Sequence, residues 1–582
     1  MTTACHGQTI PIRGEPSAQP EHPRVRTGWP VALIPALATA ALLWLSYFPA
    51  DYGWLAWIAL VPWLCLVRSS APARRIYLAA WIGGLVFFAA ALQWVRVADY
   101  RMYASWIGLA IYCSFFVPPG LYLVRQLDRR TRLPLIVTVP LVWSALEFLR
   151  AHALGGFAWY FLGHTQHAFL PIIQVADLAG GYAVTFLLAT VNALVFEVLY
   201  SRHWFRALFS LPVDAPAISS SGLRIQMGAV MLLVSAAFTY GFWRLSQNDF
   251  EEGPRVALLQ GNLDQRLRNE ASSPEVLDER LDEIRRYYDK LCDDALPRRP
   301  GLIVWPETSF IYDWAEVSPT LSDDQIPPEW KEAKAYHQKL VRLVVNRWPA
   351  NMLVGVNAVV LGPDARPRRY NSAVLFQKDG QVGGRYDKIH CVPFGEYVPF
   401  RDTLPWLNTF APYDFDYSVT PGECLTHFSL GKYRFGVVIC YEDTDPCLAR
   451  QYVRPSAGEP PVDFLLNISN DGWFDGTSEH EEHLAICRFR AIECRRAVAR
   501  AVNMGISAVI DGSGRVVALP GPDWARSKKM EAVLTANIPI DRRASVYASW
   551  GDWLPWTCWL MLSAGLIAGR VRPARSRSAK LA

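Results

Sequence analysis

Charge is scarce in this chain. Asp, Glu, Lys and Arg make up only 19% of its 582 residues, where a soluble protein carries about a quarter. That deficit argues against an ordinary water-soluble protein. The net charge is only +5, and its distribution shows no nucleic-acid footprint, which would need Lys and Arg gathered on one face. No internal repeat is visible, and the Arg/Ser-rich C-terminal tail is the only low-complexity block. A transporter with an accessory soluble domain would need polar, broken helices and an inverted repeat, and neither stands out. What the chain has instead is apolar residues (51%) and 23 tryptophans, a residue enriched at membrane-water boundaries.

The length leaves room for two or three domains. A bilayer core about 30 Å thick needs roughly 20 mostly apolar residues in a helix. Eight stretches approach that: 30–47, 53–67, 76–95, 104–124, 133–149, 171–199, 225–246 and 551–569. The first follows a polar tail of 28 residues and precedes further spans, so it reads as an uncleaved anchor rather than a signal peptide. Lys and Arg then set the orientation. Seventeen lie on one side: Arg24, Arg26, Arg68, Arg74, Arg75, Arg125, Arg129, Arg130, Arg132, Arg202, Arg206, Arg224, Arg570, Arg572, Arg575, Arg577 and Lys580. The opposite short loops hold three, Arg96, Arg101 and Arg150. Both termini are therefore expected in the cytoplasm and residues 248–545 outside it. Within the spans, Glu147 and Glu197 lie near span ends and read as interfacial, whereas Asp177 reads as buried and functional.

Residues 248–545 have a different texture. Amphipathic stretches (274–296, 330–348) alternate with β-rich runs at 256–259, 302–305, 352–356, 373–376, 435–439, 464–468, 497–502 and 507–510. Asp379-Gly380 and Gly512-Ser513-Gly514 read as hairpin turns. The expected organisation is a cytoplasmic tail (1–28), a membrane domain of seven spans (29–247), an extracytoplasmic α/β layered domain (248–545), an eighth span (546–570) and a basic cytoplasmic tail (571–582).

Three islands in the layered domain carry chemistry. The run 302–307, Leu-Ile-Val-Trp-Pro-Glu, is a strand ending in the Glu307 carboxylate. Residues 386–397, YDKIHCVPFGEY, hold Lys388 and Glu396. The run 435–442, FGVVICYE, is an apolar strand ending in the Cys440 thiol, followed by Tyr441 and Glu442. Strand ends are where α/β proteins place reactive groups. Acyl transfer by a thiol needs a base for its proton and positive charge where the oxyanion develops. Glu307, Lys388 and Cys440 can fill those three roles. Singly, each residue would read as structural or solvated.

In this order the islands resemble the nitrilase (carbon-nitrogen hydrolase) superfamily over residues 254–540. Asn470-Asp471-Gly472-Trp473-Phe474, Arg488, Ala491-Ile492-Glu493 and the run 503–508 extend the match. A nitrilase domain between a seventh and an eighth span, with the PFGEY and CYE strings, resembles the apolipoprotein N-acyltransferase family. The resemblance implies an αββα sandwich fused to a polytopic helical membrane domain. It implies Glu307 as general base, Lys388 as oxyanion lysine and Cys440 as nucleophile, with Glu396, Tyr441 and Glu442 supporting them. It also implies an acyl chain taken from phospholipid, typically phosphatidylethanolamine, held as a thioester and passed to the α-amine of a diacylglyceryl-cysteine on an apolipoprotein. No metal or organic cofactor takes part, and the enzyme is expected as a monomer in a bacterial inner membrane with its catalytic domain in the periplasm.

The run 263–270 departs from the family in lacking a tryptophan, and Cys391 and Met504 replace a usual leucine and threonine. The substrate-binding residues are not legible. A membrane-tethered amidase or nitrilase would share the triad, with water as acceptor, but would need a single anchor rather than eight spans. His480 and His483, among Glu479, Glu481 and Glu482, have the look of a metal site, yet the resemblance puts them on a helix leading to Arg488. His390 is read as structural. Of eleven cysteines, seven fall in the outer domain, an odd number that leaves at least one thiol free. Loops 400–425 and 515–530, with Trp406 and Trp524, are expected to gate lipid access.

Overall fold

The computed structural model describes residues 28–212, 218–263, 277–410, 417–454 and 460–571. Most of both expected tails, with Arg24, Arg26, Arg572, Arg575, Arg577 and Lys580, lies outside the described residues, as does most of the tryptophan-less run 263–270.

The first half is helical: α1 (Pro30–Ser46), α2 (Val61–Arg68), α3 (Ala73–Ala91), α4 (Met102–Ser114), α5 (Val117–Arg130), α6 (Leu135–His152), α7 (Gly181–Tyr200) and α8 (Ser220–Ser246), with α13 (Trp553–Val571) near the C-terminus. α1 packs on α3, α6 on α7, and α13 returns to pack on α6. The α1–α3 approach is close because Gly83 has no side chain: a Cβ there would lie 2.7 Å from the Ala36 carbonyl oxygen. Among the described residues, five helical segments are long and apolar enough to cross a bilayer: Ala73–Val97, Met102–Arg130, Leu135–Gly155, Gly181–Tyr200 and Ser220–Ser246. Two of the expected spans are less regular. The stretch at 53–67 is a 3-10 turn, Gly53–Trp57, followed by the eight-residue α2. The stretch at 171–199 begins as two four-residue turns and becomes continuous only after Gly180, whose φ of 71° breaks the helix.

Two of the polar residues near span ends, Glu147 and Glu197, are buried inside the bundle. Glu147 accepts hydrogen bonds from Trp143, the Leu162 N–H and Thr185, and Glu197 pairs with Arg68 at 2.6 Å. Each has found partners inside the bundle, which removes the need for interfacial water. Asp177 is buried as expected, accepting from Arg244, Arg495 and Tyr240 at 2.5–2.7 Å. It ties the last helix before the layered domain to that domain.

The second half is four layers deep. The first sheet runs β13-β1-β2-β4-β5-β6, with β3 paired to β4, and the second runs β12-β11-β10-β9-β8-β7. Their strands are β1 (Glu251–Gln260), β2 (Leu302–Val304), β3 (Trp314–Val317), β4 (Asn351–Leu361), β5 (Pro367–Phe376), β6 (Val382–Asp387), β7 (Phe428–Leu430), β8 (Tyr433–Ile439), β9 (Phe464–Asn470), β10 (Ala497–Asn503), β11 (Ala508–Ile510), β12 (Val516–Ala518) and β13 (Ala532–Ile540). Alternation of side chains explains the layering. Val256 and Leu258 of β1 meet Val437 and Ile439 of β8 in the core between the sheets. Ala257 and Leu259 point the other way, onto α9 (Leu277–Ala295) and α10 (Pro328–Arg347). Val438 and Leu465 point outward onto α11 (Pro446–Gln451) and α12 (Glu479–Cys494). The architecture is αββα.

α12 is the joint. Every one of its 16 residues is buried, although its sequence is rich in Glu, His and Arg. One face, with Leu484, Cys487 and Ala491, covers the second sheet. The other, with Ile486, Phe489 and Ile492, enters the core of the helical bundle. The charged side chains are accommodated by specific partners. Glu482 accepts from Trp159 Nε1 at 2.8 Å, and Glu493 accepts from the Gly181 N–H at 2.8 Å.

Candidate active site

The C-terminal ends of β2, β6 and β8 converge on one spot, where the two sheets meet the helical bundle. Glu307 follows β2. Its Oε1 accepts from Asn371 Nδ2 (2.7 Å) and lies 3.4 Å from Lys388 Nζ, while Oε2 accepts from the Asn470 backbone N–H (2.9 Å). Lys388 follows β6 and is only 1% exposed. Its ammonium donates to Glu396 at 2.9 Å. Asn371 Nδ2 also donates to Glu396 (2.9 Å), so one amide braces both carboxylates around the lysine. Burial pulls the Lys388 pKa down, but the Glu396 and Glu307 carboxylates more than reverse that and hold it well above the ordinary value. The group is therefore a fixed cation.

Cys440 ends β8 in the left-handed region, with φ 52°. A non-glycine residue held there is strained, and such strain gathers at functional sites. The thiol is partly exposed while the strand behind it is buried. Burial pushes its pKa up, the Glu307 carboxylate pushes it further, and Lys388 pulls it back. It rests as a thiol, so a base is required. Those two residues head the charged groups acting on Cys440, which places the three sequence candidates in one electrostatic unit.

The supporting residues have distinct places. Glu442 is fully buried and accepts from the Tyr386 hydroxyl and from the backbone N–H groups of Ile389, His390 and Ile439 at 2.7–3.0 Å. It staples the Lys388 segment to the nucleophile turn. Burial pushes its carboxyl up to about 7, the N–H donors opposing. Tyr441 stacks on Phe157 of the bundle, ring centroids 6.5 Å apart. Glu396 also accepts from the Val392 N–H at 2.7 Å, which closes the PFGEY loop on itself.

Sequence reading missed Asn371, which sits mid-strand in β5 between Tyr370 and Ser372, where no local pattern marks it. It also missed a second charged cluster behind Cys440. There His483 of α12 lies 2.8 Å from Asp443 and 3.2 Å from Asp471. Arg500 of β10 donates to Asp443 (2.6 Å), Asp471 (3.0 Å) and Asn467 (2.9 Å). Asn467 in turn donates to the Cys440 carbonyl oxygen at 3.3 Å. Burial and Arg500 lower the His483 pKa, and Asp443 and Asp471 more than offset them, so it stays well above the ordinary value. Asp471, Glu479 and His483 have the spacing of a cation site. The geometry here favours ion pairing, because His483 uses both ring nitrogens on carboxylates and Arg500 supplies further positive charge. His480 is separate, its Nε2 accepting from the Gly476 N–H at 3.0 Å. His390 pairs with Asp445 at 3.2 Å.

Of the two loops expected to gate access, Trp524 is built into the junction with the bundle. Its ring lies 5.3 Å from His167 and under the Arg488 guanidinium at 5.1 Å. Trp406 is 60% exposed. Among the described residues all ten cysteines are free.

Both halves of the chain are similar to known families. Residues 39–194 match the family described as apolipoprotein N-acyltransferase N-terminal domain, and residues 255–548 match carbon-nitrogen hydrolase. An apolipoprotein N-acyltransferase of Geobacter metallireducens is 32% identical over 533 residues, covering 90% of this chain and 92% of the relative. Proteins of the same name from Rhodopirellula baltica (28%, 89% of this chain and 93% of the relative) and Caulobacter vibrioides (27%, 94% and 95%) are also similar. Among solved structures, a CN-hydrolase superfamily protein of Xanthomonas campestris aligns over 50% of this chain and 91% of its own, with 19% identity and a TM-score of 0.32. Nit3 of Saccharomyces cerevisiae aligns over 51% and 92%, with 18% identity and a TM-score of 0.33.

Proposed function

The chain belongs to the apolipoprotein N-acyltransferase family, and from that premise we propose how its own residues move an acyl chain. The enzyme is an N-acyltransferase of the carbon-nitrogen hydrolase superfamily, built on apolar helices. In our reading the donor is a phospholipid, phosphatidylethanolamine first among them, and the acceptor is the N-terminal diacylglyceryl-cysteine of a lipoprotein. The excess of Lys and Arg on alternate loops supports cytoplasmic termini, a layered domain on the periplasmic side of an inner membrane, and the domain limits 29–247, 248–545 and 546–570. The protein acts as a monomer.

Glu307 takes the proton of Cys440 as sulfur attacks the ester carbonyl of the donor. The tetrahedral oxyanion forms beside the Lys388 ammonium and the Tyr441 backbone N–H. The C–O bond then breaks, the departing oxygen takes the proton back from Glu307, and lysophospholipid leaves a thioester on Cys440. In the second half the neutral α-amine of the acceptor attacks that thioester. Glu307 accepts the amine proton, the C–S bond breaks, and the sulfur recovers the proton as the amide departs. Lys388 stays charged throughout, because Glu396 and Glu307 hold its proton in place. Glu396 and Glu442 keep the lysine and nucleophile segments in register.

One observation carries the reading: a partly exposed thiol under positive φ, in the field of a carboxylate that itself touches a buried lysine. The test is incubation of the purified enzyme with phosphatidylethanolamine labelled in its acyl chain. The wild type should acquire hydroxylamine-labile label and Cys440→Ser none. An enzyme that transfers acyl chains yet never carries label would sink the proposal.

A further inference from the structure

His390 lies two residues beyond Lys388 and outside the proposed chemistry, yet it touches three separate parts of the molecule. Its Nδ1 is 3.2 Å from Asp445 Oδ2, five residues beyond the nucleophile. Its Nε2 is 3.1 Å from the carbonyl oxygen of Gly155, in the loop that follows α6 of the bundle. Its ring stands edge-on to Tyr441, centroids 5.4 Å apart. Both polar partners are acceptors, so both ring nitrogens must donate, and only the imidazolium has two N–H groups.

The bundle loop is held at other points nearby. Tyr441 OH approaches the Gly156 carbonyl oxygen at 3.5 Å, and its ring stacks on Phe157. Arg150 of α6, itself buried, donates to the carbonyl oxygens of Phe157, Trp159 and Tyr160 at 2.6–3.1 Å and stiffens the loop from the membrane side. The strongest polar link from this loop to the lysine segment is therefore the His390 bond to Gly155.

We propose that charged His390 is a positioning residue that clamps the bundle loop 155–157 onto the turn carrying Cys440, so that an acyl donor presented by the bundle meets the thiol in register. The inference rests on the acyl-transfer reading above. The clamp is closed while the imidazolium persists and opens when a proton is lost, because a neutral ring can donate to only one of its two acceptors. Burial lowers the His390 pKa, and Asp445 more than compensates, leaving it above the ordinary 6.5. The charged and titratable groups facing the ring are Asp445, Glu442 and Tyr441 from the nucleophile turn, with Lys388 on its own segment already committed to Glu396 and Glu307. The bundle contributes the Gly155 carbonyl. Since the folded pKa is raised, the clamp is intact below that pKa and lost as pH rises through it.

Thioester formation from labelled phosphatidylethanolamine should be measured on full-length enzyme across about pH 6 to 9. Alkylation of Cys440 by iodoacetamide, followed on its own peptide, runs in parallel to report thiol reactivity. Wild-type loading should fall on the alkaline side, where the alkylation rate does not. His390→Gln should lose that limb and load at least tenfold more slowly at low pH, with Cys440 alkylation unchanged within about twofold. Asp445→Asn keeps the helix cap of α11, since Asn caps as well as Asp. It should shift the limb to lower pH, and the double variant should be no slower than His390→Gln alone. If wild type loads and the limb survives in His390→Gln, or stays in place in Asp445→Asn, the clamp is wrong. If His390→Gln fails to fold, the Asp445→Asn limb decides by itself. A wild type that never loads would instead count against the acyl-transfer reading.

Discussion

Two charged clusters are buried on either side of the Cys440 turn, and they are built differently. Asp443 and Asp471 are each engaged by both His483 and Arg500, and Glu479 adds a third carboxylate 3.3 Å from His483. Glu307, Lys388 and Glu396 set two carboxylates around one ammonium. Nearby, Asn371 Oδ1 is buried without a hydrogen-bond partner. The first cluster is cross-linked, each aspartate held by two cations, and such a network fixes geometry. The second holds a single cation between two carboxylates, beside a thiol that must give up a proton.

If that contrast is right, variants in the two clusters should fail in different ways. The largest effect is expected from Lys388→Met. Loss of the oxyanion charge should slow thioester formation by about 10²–10³-fold or more, well beyond what any fall in the folded fraction accounts for. Arg500→Met should do the reverse. It leaves Asp443 and Asp471 short of a cation in a dry interior, at a cost of about 3–5 kcal/mol. Melting in detergent should show a large downward shift, and activity should follow the folded fraction. An Arg500→Met enzyme that melts normally but cannot load would erase the distinction between the clusters.

Glu307→Gln sharpens the contrast from the catalytic side. It removes the base but keeps an oxygen for Asn371, so loading should fall by about 10²–10⁴-fold with little change in melting. The smallest effect is expected from Tyr386→Phe. Glu442 would lose one of several donors, worth about 1 kcal/mol, seen as a small drop in melting temperature and a loading rate within a fewfold of wild type.

How much of this was readable in the sequence depended on how local the signal was. Each of the β-rich runs found by pattern overlaps a strand, because an apolar run ending in a turn is a local feature. The same locality made Glu307 and Cys440 visible as polar residues at the ends of such runs, and the family resemblance supplied Lys388. Strands β3, β6, β7, β12 and β13 were not predicted: β3, β7 and β12 are only three or four residues long, β6 opens with Val-Gly-Gly, and β13 mixes Thr, Asn and Pro into its apolar residues. The cluster behind Cys440 was invisible because Asp443, Asp471, His483 and Arg500 come from four elements. The run EHEEH of α12 was placed on a helix, but its full burial was not legible, because the bundle packed against it supplies the partners. The partners of Glu147 and Glu197 were hidden in the same way, lying up to 129 residues away.

The most direct test of the acyl-transfer account is the mass of the Cys440 peptide through one reaction cycle. After incubation with phosphatidylethanolamine, Cys440 should gain the mass of one acyl chain. Addition of a diacylglyceryl-cysteine peptide should then remove that mass and return it as an amide on the peptide. Acyl amide appearing on the peptide while Cys440 never carries the chain would contradict it.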